Sequence, residues 1–376
     1  MVAGTTNIAR QTYFAQFFSS ASLFACGIFI PIVLERQMNA DSMLIGVVVT
    51  GYQTALFIAS VIIGRAADIR GRRMFLRIGF AMATFGIFLQ IIATSPFVLL
   101  FVRILLGASA GMISSVLVAY FMYETKGKVG VFSSLGALGW GFGSIVAGIV
   151  GDATIIFAYS SGLMFVAAIA VFTLPKTDEV KHAVPLFPKR VFKENAAVYI
   201  SVLVRHIGAN FIWVTYPIFL MDVLGADYFW VGVIYGTNAI SQFIVMRGLD
   251  EYNSTMLVRA GLAMSAITFL LFSMAQNFFE IIPLQIILAI SWSALYVGSL
   301  KYVTERSPEK ATSMGWLQGM ISIAGILGPL LGGYLDLEIG YRNTILIAMF
   351  LSIAGLAIFQ ISKSRERNRK KTATSS

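Results

Sequence analysis

Long apolar runs, each close to the length of a membrane crossing and separated by short clusters of charge, fix what this chain can fold into. A hydrocarbon core of about 30 Å takes about 20 apolar residues per helix, and twelve such runs fill the 376 residues. They predict helices at 12–34, 42–64, 74–94, 97–121, 128–151 and 153–174, then at 195–221, 228–246, 256–276, 278–300, 311–335 and 342–362. Several carry Gly or Pro, which bilayer helices tolerate. Charged residues make up 12% of the chain and hydrophobic ones 57%; a soluble domain has about 25% charged. That balance excludes a cytosolic enzyme, a disordered chain and a nucleic-acid-binding domain. The first run lacks a cleavage-like end, so it is expected to be a retained span and not a signal peptide. A single cysteine, Cys26, permits no internal disulfide.

Lys and Arg supply the orientation. Loops after even-numbered runs, the middle linker and both termini hold all 28 basic residues except Arg36 and Arg342, on the opposite side, and Arg103 and Arg205, within spans. That opposite side carries Glu35, Asp41, Asp152, Asp222, Asp227, Glu280, Asp336 and Glu338. The positive-inside rule then predicts a multi-pass plasma-membrane protein with both termini cytoplasmic. The net charge of +10 is read as this bias, with no nucleic-acid partner. The basic tail from Lys363 to Lys371 is expected to lie along anionic headgroups.

The stretch 175–194, with three prolines, is the only long polar segment between spans. It divides the chain into a first bundle (1–174), a cytoplasmic linker (175–194), a second bundle (195–362) and a tail (363–376). The bundles repeat one another. At a separation of 185 residues Glu124 matches Glu309, Gly130 matches Gly315, Gly143 matches Gly328 and Gly148 matches Gly333. At 182, Asp68 matches Asp250 and Arg77 matches Arg259. The expected fold is an all-α integral membrane protein of twelve transmembrane helices in two pseudo-symmetric six-helix bundles. Duplication of this kind is the build of a secondary transporter, with its substrate site near mid-membrane.

Gly64-Arg65-Ala66-Ala67-Asp68-Ile69-Arg70-Gly71-Arg72-Arg73 resembles the G-x-x-x-D-x-x-G-R-K/R loop signature of the major facilitator superfamily. Arg103 and Gly107 are similar to its R-x-x-x-G pattern, and Gly328-Pro329-Leu330-Leu331-Gly332-Gly333 to its G-P-x-x-G-G element. The resemblance runs from about residue 10 to 362. It implies alternating access, with helices 1, 4, 7 and 10 lining a central cavity. It also implies that Asp68 meets the start of helix 11, whose N-terminal dipole would stabilise a carboxylate. Such a contact exists only while the cytoplasmic gate is shut. Glu124 is expected to pair with Arg70, Arg72 or Arg73, and Asp250 and Glu309 to repeat the arrangement in a degraded second copy. The alternative for Asp68 and Asp250 is a solvated loop carboxylate. Gly64 and Gly71 are expected to allow a tight turn and close approach. Gly139, Gly143 and Gly148 in helix 5, with Gly328, Pro329, Gly332 and Gly333 in helix 11, are expected at helix-packing faces. Helix 5 has Gly143-Ser144 where proton-coupled drug antiporters tend to have Gly-Pro.

Arg103 and Arg205, the latter beside His206, lie deep within predicted spans. An intramembrane arginine costs about 2.5–3.5 kcal/mol on insertion scales and marks a functional site by default. The structural alternative has each arginine bonding carbonyls, Tyr or Asn of neighbouring helices. No carboxylate falls mid-span, so a cavity here would be neutral or positive and favour anionic or neutral solutes over cations. Further lining candidates are Gln16, Gln53, Asn210, Asn238 and Gln242, with aromatic walls from Tyr52, Trp140, Trp213, Trp292 and Tyr296.

The expected function is outward movement of a small organic solute by a monomer in a lipid bilayer. The rivals are a proton-coupled multidrug exporter of lipophilic cations and a non-transporting sensor. No catalytic set, metal cluster or cofactor is expected, and no G-x-x-x-x-G-K-S/T loop for ATP occurs. Coupling to protons or another ion stays open.

Overall fold

The computed structural model describes residues 2–374 apart from 29, 31, 32, 41, 151, 176–181, 183, 186, 187, 214, 217 and 218. Asp41 and linker residues 176–181, 183, 186 and 187 lie outside the described residues, as do the surroundings of Glu35, Arg36 and Gly148 and the side chains of 367 and of the tail from 369 onward. The chain forms α1 (Val2–Ile28), α2 (Ser42–Arg70), α3 (Arg72–Ile91), α4 (Pro96–Thr125), α5 (Val129–Val150), α6 (Ala153–Phe172), α7 (Lys189–Trp213), α8 (Tyr228–Met246), α9 (Ser254–Met274), α10 (Phe278–Arg306), α11 (Lys310–Ile339) and α12 (Tyr341–Thr374). Ten of these are long and apolar enough to cross a membrane, and α8 holds a shorter apolar stretch, Trp230–Met246. Two short π-helical segments, Val33–Gln37 and Phe219–Val223, follow α1 and α7. Among the described residues there is no strand.

The sequence repeat is also a packing repeat. In the first half α1 packs on α5 and α6, α3 on α4 and α6, and α2 on α4. Adding six to each label gives the second half: α7 on α11 and α12, α9 on α10 and α12, and α8 on α10. The same symmetry exchanges the two main contacts between halves, α2 with α11 and α5 with α8. We call the end where α1 starts, α12 ends and the α6–α7 connection lies the linker face, and the other end the far face.

Lipid tails are as apolar as the helices, so association depends on close packing. At the α1–α5 contact a Cβ on Gly139 or Gly143 would fall on the carbonyl oxygen of Phe17 or Ala21. At the symmetry-related α7–α11 contact, Gly328 and Gly332 abut Asn210 and Phe211. Pro329 lies within α11. Gly333 departs from the packing expectation: nothing lies within 4 Å of where its Cβ would be. Helix limits differ too. α7 starts at Lys189, six residues before the apolar run does, and α12 continues to Thr374 through the basic tail. Backbone hydrogen bonding carries both helices past the point where hydrophobicity stops. Glu366 fixes the start of that tail by pairing with Arg306 at 2.9 Å and Lys363 at 2.7 Å.

Candidate functional site

The signature around Asp68 belongs to helix as much as to loop. α2 runs to Arg70, and the turn rests on Gly71 alone, at φ 107°, a backbone conformation open chiefly to glycine. Gly64 serves close approach: its Cβ would meet the Ala311 carbonyl oxygen of α11. This brings Asp68, 0% exposed, against the first turn of α11. Its Oδ2 accepts from Thr312 N–H at 2.7 Å and Thr312 Oγ1 at 2.8 Å, and its Oδ1 faces Ala311 N–H at 3.4 Å. Arg72, one turn on from Asp68, donates to Oδ1 at 2.6 Å. Four free N–H groups and a positive dipole end make a helix N-terminus a natural anion seat. The carboxylate fills it from the other half of the molecule.

Tyr123, at the end of α4, joins three elements at this layer. Arg72 lies 3.7 Å over its ring, Lys310 N–H donates to its hydroxyl at 3.3 Å, and His182 Nε2 lies 3.0 Å from that hydroxyl. His182 N–H also donates to the Asp68 carbonyl at 2.8 Å, while Arg65 binds the carbonyls of Val184 and Pro185. The described part of the linker is therefore strapped across the junction. Arg73 donates to the Leu174 carbonyl, Arg70 is exposed, and Glu124 is half-buried in the same layer. Glu309, 8% exposed, pairs with Arg190 of α7.

Asp250 builds the symmetry-related contact. Its carboxylate accepts from Gly130 N–H at 2.9 Å and Val131 N–H at 3.2 Å in the first turn of α5. The two contacts sit at the linker ends of two seams. Along α2–α11, Gly64 and Ser60 meet Gly315, Phe57 and Val61 meet Gly319, and Gln53 meets Gly325. Along α5–α8, Gly130 meets Met246 and Gly141 meets Ala239. Toward the far face the seams part. Gly232 and Gly236 share a helix face with Ala239, and Gly333 shares one with Gly315 at five full turns; yet none has an atom within 4 Å of a built Cβ. The halves touch at the linker face and diverge beyond mid-depth.

Between them His206, Trp292 and Tyr296 form a column of rings, with centroids 5.0 and 5.2 Å apart. His206 and Tyr296 are only partly buried, as is Tyr52. The arginines stand behind this wall. Arg205, 1% exposed, donates to Ser265 Oγ at 2.9 Å, and Ser265 passes the bond to Ser291 at 2.7 Å. Its guanidinium carbon lies 5.3 Å from the Phe269 ring and 5.4 Å from Trp292, and Nη2 has no hydrogen-bond partner among the described residues. Arg103, 7% exposed, lies 4.2 Å over the Tyr52 ring and faces Cys26. Each arginine thus meets side chains of its own bundle, Ser265, His206, Phe269 and Trp292 for Arg205 and Tyr52 and Cys26 for Arg103. Ser265, Ser291 and Phe269 carried no sequence signal.

Asn238 and Gln242 also depart from a simple lining role. Gln242 Nε2 donates to Asn238 Oδ1 at 2.5 Å, Asn238 Nδ2 to Gln285 Oε1 at 2.9 Å, and Gln285 Nε2 to Tyr216 Oη at 2.6 Å. This buried relay ties α8 to α10 and to the segment after α7. Asn210 returns its amide to the His206 carbonyl of its own helix at 2.8 Å. Gln285→Ala takes the partner from the buried Tyr216 hydroxyl, at about 1–3 kcal/mol, and leaves Asn238 Nδ2 only the Gln285 carbonyl at 3.2 Å. Purified in detergent, this variant should unfold at a lower temperature, whereas Gln276→Ala on the exposed far-face loop should match the parent. Equal unfolding curves for both would make the relay energetically idle. Among the described residues no three of His, Cys, Asp and Glu gather to hold a metal ion.

Quinolone resistance protein NorA of Staphylococcus aureus (strain MRSA252) is 23% identical over 191 residues, 49% of this chain and 47% of NorA. The match thus spans about half the length of that relative. Multidrug resistance protein 1 of Bacillus subtilis (strain 168) is 23% identical over 359 residues, 87% of this chain and 92% of that protein. Among solved structures, the human organic anion transporter MFSD10 (TETRAN) superposes with a TM-score of 0.77 at 11% identity, covering 94% of this chain and 99% of its own; that likeness concerns the fold. The Major Facilitator Superfamily model matches residues 12–197 and 198–376. Duplicated bundles, paired seams and a family match along nearly the whole length agree: the chain belongs to the Major Facilitator Superfamily of membrane transporters.

Proposed function

We propose that this chain is a secondary active transporter that exports a small organic solute by alternating access. Its termini and linker lie in the cytoplasm, and anionic or neutral solutes are favoured. The observation that carries the reading is the pair of carboxylate-to-helix contacts, Asp68 on α11 and Asp250 on α5, closing one face while the seams part toward the other. Contacts made only in one arrangement of two rigid bundles bias the equilibrium between arrangements. The orientation rests on the Lys/Arg asymmetry. Export draws support from the names of two relatives, a quinolone resistance and a multidrug resistance protein.

Substrate class follows from electrostatics. Arg205 stands behind the His206–Trp292–Tyr296 column with no carboxylate among its bonded partners. At an effective dielectric of about 20, a positive charge about 8 Å from a bound anion contributes about 2 kcal/mol, roughly thirtyfold in affinity. A second reading, a proton-coupled exporter of lipophilic cations, is favoured by the ring column itself, because aromatic faces attract cations.

Flux into liposomes separates the two. Anionic and neutral solutes should move faster than matched cations. Arg205→Gln should weaken anion transport at least tenfold and leave neutral solutes within a factor of three. Transport confined to cations, dependent on a proton gradient and indifferent to Arg205→Gln, would reverse the assignment.

A further inference from the structure

A groove of about 760 Å³ runs along the outside of the first half between α3 and α6, away from both seams. Its α3 side presents Ala81, Thr84, Phe85 and Phe88, and its α6 side extends from Ser161 to Thr173. Twelve helical rises make that about 18 Å. The groove therefore starts at the linker face and reaches the depth of one leaflet, half of a core of about 30 Å. The rings that wall it, Phe85, Phe88, Phe165 and Phe172, are exposed. Gly162 leaves the floor open, with nothing within 4 Å of a built Cβ.

Arg77 lies one turn from Ala81 on the same stripe of α3, at the linker-face mouth of the groove. Its Nη2 donates to the Phe172 carbonyl at 2.6 Å, and its guanidinium lies 5.6 Å from the Phe172 ring. That bond uses one of five N–H donors and fixes the fork beside the groove. Arg73, one turn nearer the face, donates to the Leu174 carbonyl. Neither α3 nor α6 contains an Asp or Glu. An apolar trough one leaflet deep thus ends beside the Arg77 guanidinium at headgroup level.

We propose that this groove is a binding site for an anionic phospholipid, one acyl chain lying between α3 and α6 and the phosphate held at Arg77. A tail loses no hydrophobic advantage in moving from bilayer to groove, so charge sets the selectivity. Basic pockets between membrane helices near the cytoplasmic side suit such headgroups, each arginine giving about a fivefold preference.

The full-length protein, purified from membranes and exchanged into nanodiscs of phosphatidylglycerol and phosphatidylcholine, tests this by native mass spectrometry of retained lipid. Phosphatidylglycerol should be retained about fivefold over phosphatidylcholine. Arg77→Gln should abolish that preference, and Gly162→Leu, which fills the floor without straining the backbone, should lower retention of either lipid. Both variants should keep the parent's unfolding temperature. Equal retention of the two lipids by the parent, or unchanged retention in both variants, overturns the site. Displacement of the lipid by inorganic phosphate, with Gly162→Leu silent, would make it a bare anion site and overturn the acyl-chain half. A mass showing a second copy of the chain in place of lipid would do the same.

Discussion

Replacing Asp68 by Asn is expected to leave the protein folded, lower solute flux at least tenfold and open the linker face to water. Asp68 and Arg72 lie on the same half, at 2.6 Å, so their pair survives opening. The bonds to Ala311 and Thr312 of the other half do not. Hydrogen bonds to a charged acceptor contribute about 1.5–3 kcal/mol, and the α11 dipole up to about 2 kcal/mol more when partly buried. At 1.4 kcal/mol per factor of ten, neutralising the carboxylate moves the closed-to-open ratio by one to two orders of magnitude. Arg72 sharpens the effect. It is 1% exposed, and a buried guanidinium beside a neutral amide is a strong reason for the junction to admit water.

Thiol labelling reads this directly. Ser60 is buried where its carbonyl meets Gly315, so Ser60→Cys in a Cys26→Ala background should resist a linker-face reagent in the parent. It should react in Asp68→Asn. Asp68→Asn with Arg72→Gln should be milder than the sum of the single changes, because the two residues share one interaction. Asp250→Asn should act in the same direction but more weakly, since Asp250 is only partly buried and water can replace part of what it gives. Normal flux and an unreactive Ser60→Cys in Asp68→Asn would leave the carboxylate with no part in gating.

Why Asp68 stood out in the sequence and Ser265 did not is a matter of what a local pattern encodes. The bilayer sets span length, so twelve runs are visible as hydropathy, and a glycine-flanked acid at a span's end has few uses besides a turn or a helix terminus. Ser265 and Ser291 are small polar residues in apolar runs; only packing of α9 on α10 brings them to Arg205, 60 positions from Ser265. Gln285 and Tyr216 are hidden for the same reason. Arg205 itself was visible, but its spacing does not say whether it points to the cavity or into its own bundle. Gly328 and Gly333 look alike in the sequence, yet one abuts Asn210 and the other meets open space, because helix phase decides. His182 gave no reason to expect a strap on Tyr123.

Paired glycine substitutions on the seams should trap opposite states. A Cβ on Gly315 would fall on the Ser60 carbonyl oxygen, and both atoms belong to helix backbone, so no rotamer change relieves the clash. Overpacking of side chains alone costs about 1–3 kcal/mol. Gly315→Leu should therefore disfavour closure of the linker face by tenfold or more, expose Ser60→Cys to labelling and reduce flux by a similar factor. Gly236 lies on the α8 face that carries Ala239, with nothing within 4 Å, so Gly236→Leu costs nothing in the arrangement seen here. In the alternate arrangement the far-face halves of α5 and α8 must approach, as their linker-face halves do now, and the same leucine would then clash. Gly236→Leu should unfold at the parent temperature, keep Ser60→Cys unreactive and still lose flux at least tenfold. Normal flux in Gly236→Leu would mean that the far-face seam never shuts, and rocking of two rigid bundles would have to give way to a mechanism in which only the linker face moves.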